Sequence, residues 1–130
     1  MPTAQLQCTI LVAAAMASAS AAARTYDDYL AVSEAKQAAA DSLPDPKSVR
    51  FRGLFLSEHG DSKITLCGEI NGKDRTGRYT GFRRFLVEDT LDSMIDPQAG
   101  PGATPGEAML QGIFGRVHQR VCSNKVKDVR

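Results

Sequence analysis

The sequence predicts a small α+β domain: an N-terminal helix, a three-stranded antiparallel meander, and a C-terminal helix packed on the sheet. Three observations predict it. An Ala-rich segment runs to Leu43 and is stopped by Pro44 and Pro46. Between Val49 and Glu88, apolar and polar residues alternate in runs separated by turn residues, the period of half-buried strands. From Glu107 to Cys122, apolar residues recur instead at spacings of three and four. A chain of 130 residues suits one such domain and not two.

Residues 1–23 carry no charged side chain. Ile10 to Ala17 form an apolar run, and small residues follow. The run is too short to span a bilayer, which needs about 20 apolar residues. It fits the apolar region of a secretory signal, with cleavage after Ala19 or Ala23, although the usual N-terminal Lys or Arg is missing. The expected mature form is therefore residues 24–130, periplasmic or secreted and not membrane-spanning. Cys8 precedes the apolar run, so it is no lipidation site, and it leaves with the leader. Cys67 and Cys122 remain, and two cysteines in an oxidising compartment pair. Their disulfide closes a loop of roughly 55 residues, a stabilisation on the order of 3–4 kcal/mol.

In order along the chain, residues 25–43 read as a helix. Thr25 is its N-cap, Asp27 and Asp28 suit the positive end of the dipole, and Tyr26, Leu30, Ala38 and Leu43 make a weak apolar stripe. Leu43 to Ser48 is a stiff turn. Val49, Phe51, Gly53 and Phe55 then alternate with Arg50, Arg52 and Leu54 in a first strand. His59 to Ser62 turns the chain, and Ile64, Leu66 and Ile70 alternate with Thr65, Cys67 and Glu69 in a second. A loop opened by Asn71-Gly72 leads to a third strand over Arg78 to Glu88. Its alternation breaks at Arg83-Arg84, which predicts a bulge or a twisted edge there. Residues 96–106 are too rich in Pro and Gly for regular structure. The last helix presents Met109, Leu110, Ile113, Phe114, Val117 and Val121 as its packed face. Gly112 and Gly115 weaken it by about 1 kcal/mol each, unless they admit close approach to the sheet. Asn124 onward reads as a frayed polar tail. Both helices are expected on one face of the sheet, with Cys122 reaching Cys67 in the middle strand.

Net charge is +1, but the charges are blocked rather than mixed. Residues 45–84 hold nine Lys or Arg against five acids, residues 85–115 hold five acids and no base, and residues 116–130 hold five bases and one acid. The densest stretch is 67–85, CGEINGKDRTGRYTGFRRF, with four Gly, three aromatics and five Lys or Arg. It reads as a hairpin with a basic tip. Lys73, Arg75, Arg78, Arg83 and Arg84 are its candidate contact surface.

No catalytic constellation stands out. His59 lies in a turn, and Glu69 and Glu88 lie on strands, without diagnostic spacing. His118 and Cys122 share a helix face, but zinc sites show tighter pairs and a fourth ligand, and a disulfide accounts for both cysteines. Gly72 to Gly77 is not a phosphate loop, because a strand and not a helix follows it. Basic residues interleave with Tyr79, Phe82 and Phe85 as in single-strand binders, yet near-neutral charge and export weigh against nucleic acid.

Two elements resemble a family of small uncharacterised exported proteins and lipoproteins of proteobacteria and their mobile elements. The first is the turn Leu43, Asp45, Pro46, Ser48, Phe51 and Arg52. The second is the hairpin Cys67, Gly68, Asn71, Lys73, Gly77, Tyr79, Gly81, Phe82 and Phe85. Asp74 departs from the family's usual Asn, and a lipidation Cys is missing, which points to a free form. The resemblance implies export and the hairpin, and no activity. In the hairpin, Gly68 is expected opposite Gly81, and Asn71 is expected to close the turn through its side chain.

The expected function is a non-enzymatic binding module of the bacterial envelope, with no metal and no cofactor. Its partner would be an envelope protein, a lipid head group or a polysaccharide. The alternatives are a small hydrolase of an envelope polymer using Glu69 or His59, and anion or nucleic-acid binding through the basic hairpin.

Overall fold

The computed structural model describes residues 30–130. The expected leader, its cleavage sites, and Thr25, Tyr26, Asp27 and Asp28 lie outside the described residues. The first helix, α1, spans Val32–Asp41, with Ala31 at its N-cap and no capping side chain. Its predicted start at residue 25 lies outside the described residues, and the expected unbroken helix over 25–43 is corrected, since Leu30 and Ala31 are not helical and α1 ends at Asp41. A single 3-10 turn, Pro46–Ser48, leads into the sheet.

The sheet has five strands, not three. Strands β1 (Arg50–His59), β2 (Lys63–Asn71) and β3 (Arg83–Val87) form its centre, where the sequence predicts that three strands make the whole sheet. β4 (Ser93–Ile95) and β5 (Lys125–Asp128) flank it. The strand order is β4-β3-β2-β1-β5, and all neighbours are antiparallel. Both added strands escape pattern reading for physical reasons. β4 is too short to show a period. β5, Lys-Val-Lys-Asp, carries the lysines and carboxylate that blunt an edge strand. The expected polar tail is thereby overturned: Leu56 pairs with Lys127, and the Val129 N–H donates to the Leu54 carbonyl at 2.9 Å. Val126 and Val129 pack on the core.

Strand alternation divides the core into two clusters on opposite faces. Leu66, Ile70, Phe85 and Val87 pack with Ala35 and Ala39 of α1. Cys67 and Leu86, their neighbours in sequence, point the other way and pack with Phe114 and Val121 of α2 (Pro105–Cys122). The helices therefore cover opposite faces, against the expectation of a shared one. Ala35 and Ala39 are fully buried, and their small size lets the helix sit close to the sheet.

α2 begins at Pro105, two residues before the predicted start. Thr104 and Glu107 form a reciprocal capping box, and Pro105 suits the first turn. Its C-terminal half is the packed half. Phe114 and Val121 are buried, whereas Met109 and Leu110 are 62% and 54% exposed. Gly112 and Gly115 make no close approach: a Cβ on Gly112 would meet only the Arg116 side chain, and one on Gly115 nothing within 4 Å. At the end of α2, Cys122 is bonded to Cys67, with a Cα–Cα distance of 6.0 Å.

The predicted bulge at Arg83-Arg84 is absent, for Arg83 and Arg84 pair regularly with Ile70 and Glu69. The irregularity lies in β1, where Gly53 and Leu54 stand opposite the single residue Gly68. Gly53 has φ +59, the left-handed conformation a bulge of this kind assigns to glycine. The extra residue flips the faces beyond it. Phe51 stays on the α1 face, while Phe55 joins Cys67 on the α2 face.

Candidate functional site: the cationic end of the sheet

The start of β1, the end of β2 and the start of β3 lie at one end of the sheet, because Arg50 pairs with Asn71 and Ile70 with Arg83. Beyond Asn71 the hairpin is irregular, and β3 starts at Arg83 rather than Arg78. A lone bridge, Lys73 to Tyr79, holds the two arms. Asp74 organises the tip. Its carboxylate accepts the Thr76 hydroxyl at 2.6 Å and the N–H groups of Thr76 and Arg78. The Thr76 hydroxyl first, then the Arg78 N–H, hold the Asp74 carboxyl below the usual carboxylate range. Asn71 closes the base of the loop as expected, its side-chain oxygen accepting the Gly81 N–H at 3.1 Å. Gly81 does not face Gly68, which pairs with Phe85.

The tip docks on the turn before β1. The Tyr79 hydroxyl donates to the Ser48 carbonyl at 2.8 Å, and the Lys73 N–H donates to the Ser48 hydroxyl at 2.9 Å. Arg50 stacks on the Tyr79 ring at 4.5 Å, and Lys73 lies 5.6 Å from the same ring. On the neighbouring rung, Arg52 stacks on Phe82 at 3.9 Å. Cations resting on ring faces keep their donors turned toward solvent.

The five predicted contact residues are not one patch. Arg75 and Arg78 are exposed at the tip, and Lys73 lies half-buried beside Tyr79. Arg83 and Arg84 are adjacent on a strand and so point to opposite faces. Arg83 lines a cavity of about 100 Å³ with Lys73, Leu43 and Thr80. Arg84 lies on the α2 face, 5.4 Å from the Phe114 ring, in an ion pair with Asp96 at 3.1 Å.

On that face a row of alternating charge crosses four chain segments. Arg52 pairs with Glu69, Glu69 stands beside Arg84, and Arg84 bonds Asp96. Asp96 is nearly buried. Burial pushes its carboxyl up, but the Gln98 N–H, the Gln111 side chain and the Arg84 guanidinium outweigh burial and bring it below the usual range. His118 stacks on Phe114 with ring centroids 5.5 Å apart. Burial, then the Arg84 charge, push its imidazole down, and Asp96 opposes them.

Among the described residues, Lys47, Arg50, Lys73, Arg75 and Arg78 have no carboxylate within 4.0 Å, whereas Glu69, Asp74 and Asp96 are all engaged. Sequence alone does not single out Lys47, Arg50 and Arg52 as contacts, because they precede Lys73, the first cation of the hairpin, by more than twenty residues and only strand pairing brings them to it. The acids Asp61, Glu88, Asp89 and Asp92 gather at the opposite end, around the β1–β2 and β3–β4 turns. These acids share that end with Lys63 and Arg120.

His59 and Glu69 do not meet. Glu69 stands opposite Arg52, and His59 lies seven residues further along β1, roughly 20 Å away at strand rise. His59 instead shares a hydrogen bond with the Thr65 hydroxyl at 2.9 Å. Among the described residues no group of three or more His, Cys, Asp or Glu is arranged to hold a metal ion. No helix among them is long and apolar enough to cross a membrane. Comparison with protein-family models, with curated proteins and with solved structures found no match.

Proposed function

We propose that this chain is an exported, non-enzymatic binding module that docks an anionic surface of the bacterial envelope through the cationic end of its sheet. One observation carries the reading. Among the described residues, five cations at that end lack a carboxylate partner, while Glu69, Asp74 and Asp96 are occupied by other donors. Solvated cations on a stiff scaffold attract an anionic partner at little ordering cost. Acidic protein surface, anionic lipid head group and polysaccharide all present that chemistry. The buried Cys67–Cys122 bond supports an oxidising compartment.

The test is retention of the full chain, disulfide oxidised, on phosphatidylglycerol vesicles and on an acidic polysaccharide. Retention should fall steeply between about 50 and 500 mM salt, as screening of exposed charges requires. Arg75→Glu with Arg78→Glu should abolish it. Retention that ignores both salt and these substitutions sinks the reading. N-terminal sequencing of envelope material should begin at Ser20 or Arg24, and an intact Met1 there would overturn the export half.

A further inference from the structure

We propose that the opposite end of the sheet holds a second site, which binds a small zwitterion carrying both an ammonium and a carboxylate group, in the class of a free amino acid or a short peptide. This site is independent of the cationic end.

The argument starts from strand alternation. Cys67 faces α2, so Thr65 and Lys63, two and four residues before it, share that face. Leu86 packs under α2, so Glu88 shares the face as well. Lys63 pairs with His59 across the hairpin. Of these residues, His59, Lys63 and Glu88 line a cleft. The β1–β2 turn and the turn that follows β3 are its walls, and Arg120 closes it from the last turn of α2. The cleft holds about 370 Å³, within the range of small-molecule sites.

Its charges are of both signs. Asp61, Glu88 and Asp89 supply carboxylates, and Lys63 and Arg120 supply cations. None of the five is ion-paired within the described residues, although they line one cavity. Held apart in this way, opposite charges match a ligand that carries both. A monovalent ion satisfies one set and faces repulsion from the other. A zwitterion places its carboxylate toward Lys63 and Arg120 and its ammonium toward Glu88 and Asp89. His59 is held in place, because its ring shares a hydrogen bond with the hydroxyl of the fully buried Thr65. The walls are fixed too. The Leu91 N–H donates to the Glu88 carbonyl and the Glu88 N–H to the Asp92 carbonyl. Ser62 and Leu91 hold φ of +60 and +65, an uncommon conformation for residues with a Cβ.

The test is an amide NMR titration of the full chain, disulfide oxidised, with three probes: alanyl-alanine, N-acetylalanine and alaninamide. The zwitterionic dipeptide should give saturable shifts confined to residues 59–63 and 88–91 and to Arg120. The two singly charged probes should bind at least tenfold more weakly. Lys63→Gln and Glu88→Gln should each weaken the dipeptide at least tenfold, and Asp89→Asn, on the exposed turn, gives a third reading. Arg78→Glu at the far end should leave it unchanged. The proposal fails if the dipeptide does not saturate at tens of millimolar, if all three probes bind equally, or if the shifts map to the hairpin tip.

Discussion

Leu54 lies across the backbone of Gly68, so close that a Cβ on the glycine would stand 2.8 Å from the leucine Cδ2 and 3.1 Å from its Cα. The same Cβ would meet the Arg52 carbonyl oxygen at 3.2 Å. This contact is the inside of the β1 bulge, and it places Phe55 on the face that α2 covers. Two of the three clashing atoms are backbone and cannot turn aside. Gly68→Ala should therefore cost about 2–4 kcal/mol, as overpacking joined to backbone displacement does. Gly77→Ala is the control. Its φ is +84 but nothing lies within 4 Å, so about 1 kcal/mol is expected from conformation alone. Urea midpoints of the two variants separate the cases, and equal losses would contradict the packing argument.

The Cys67–Cys122 bond ties β2 to the end of α2 and spans 55 residues. Cys67→Ala with Cys122→Ala should lower stability by about 3–4 kcal/mol, the chain-entropy value for such a loop. Alkylation of the unreduced, denatured chain should find neither of these two thiols free.

Acid should destabilise the α2 face in two steps. His118 and Asp96 both have folded-state pKa values below their unfolded ones. Each contributes stability that is present above its unfolded pKa and is lost as pH falls toward its folded pKa. The first decline should begin below about pH 6.5 and the second below about 3.9, the unfolded values for the two side chains. His118→Gln should remove the first step from a plot of urea midpoint against pH. Asp96→Asn should cost about 1–2 kcal/mol at neutral pH, near the low end for hydrogen bonds to charge, because Arg84 is half exposed. A stability plateau down to pH 4 would contradict this assignment.

Along α2 the energetic weight should fall on one half. Phe114→Ala should cost about 3–5 kcal/mol, the range for a buried phenylalanine. Met109→Gln and Leu110→Gln should each stay within about 0.5 kcal/mol, as exposed positions do. Thermal or urea unfolding of the three variants reads this directly.

Periodicity made the two helices and the central hairpin legible in the sequence, and the two cysteines left after the leader made the disulfide legible. What it missed has physical causes. Alternation alone places Phe55 on the wrong face, because one extra residue at Gly53-Leu54 inverts every later side chain and single-strand alternation does not register a bulge. The lysines of β5 mark a protected edge but read as a solvated tail. Met109 and Leu110 match the helical period, yet they lie beyond the sheet that the period implies. At the cationic end, Arg75 and Arg78 were visible as a charged tip. Arg84 was visible only as a cation, since its partner Asp96 lies twelve residues away and reaches it through β4.

The pairing of β5 with β1 carries a consequence for how the molecule comes into being. Leu56 and Lys127 are about seventy residues apart in sequence, and their contact closes the largest loop in the sheet. Loop closure of that length is slow relative to local helix and hairpin formation. Until it happens, β1 offers an unpaired edge next to the apolar Leu54 and Leu56. The folding chain thus passes through a stage in which its own last strand competes with any other extended peptide for that edge. Whatever accompanies the nascent chain, a shield over β1 is the protection it needs most.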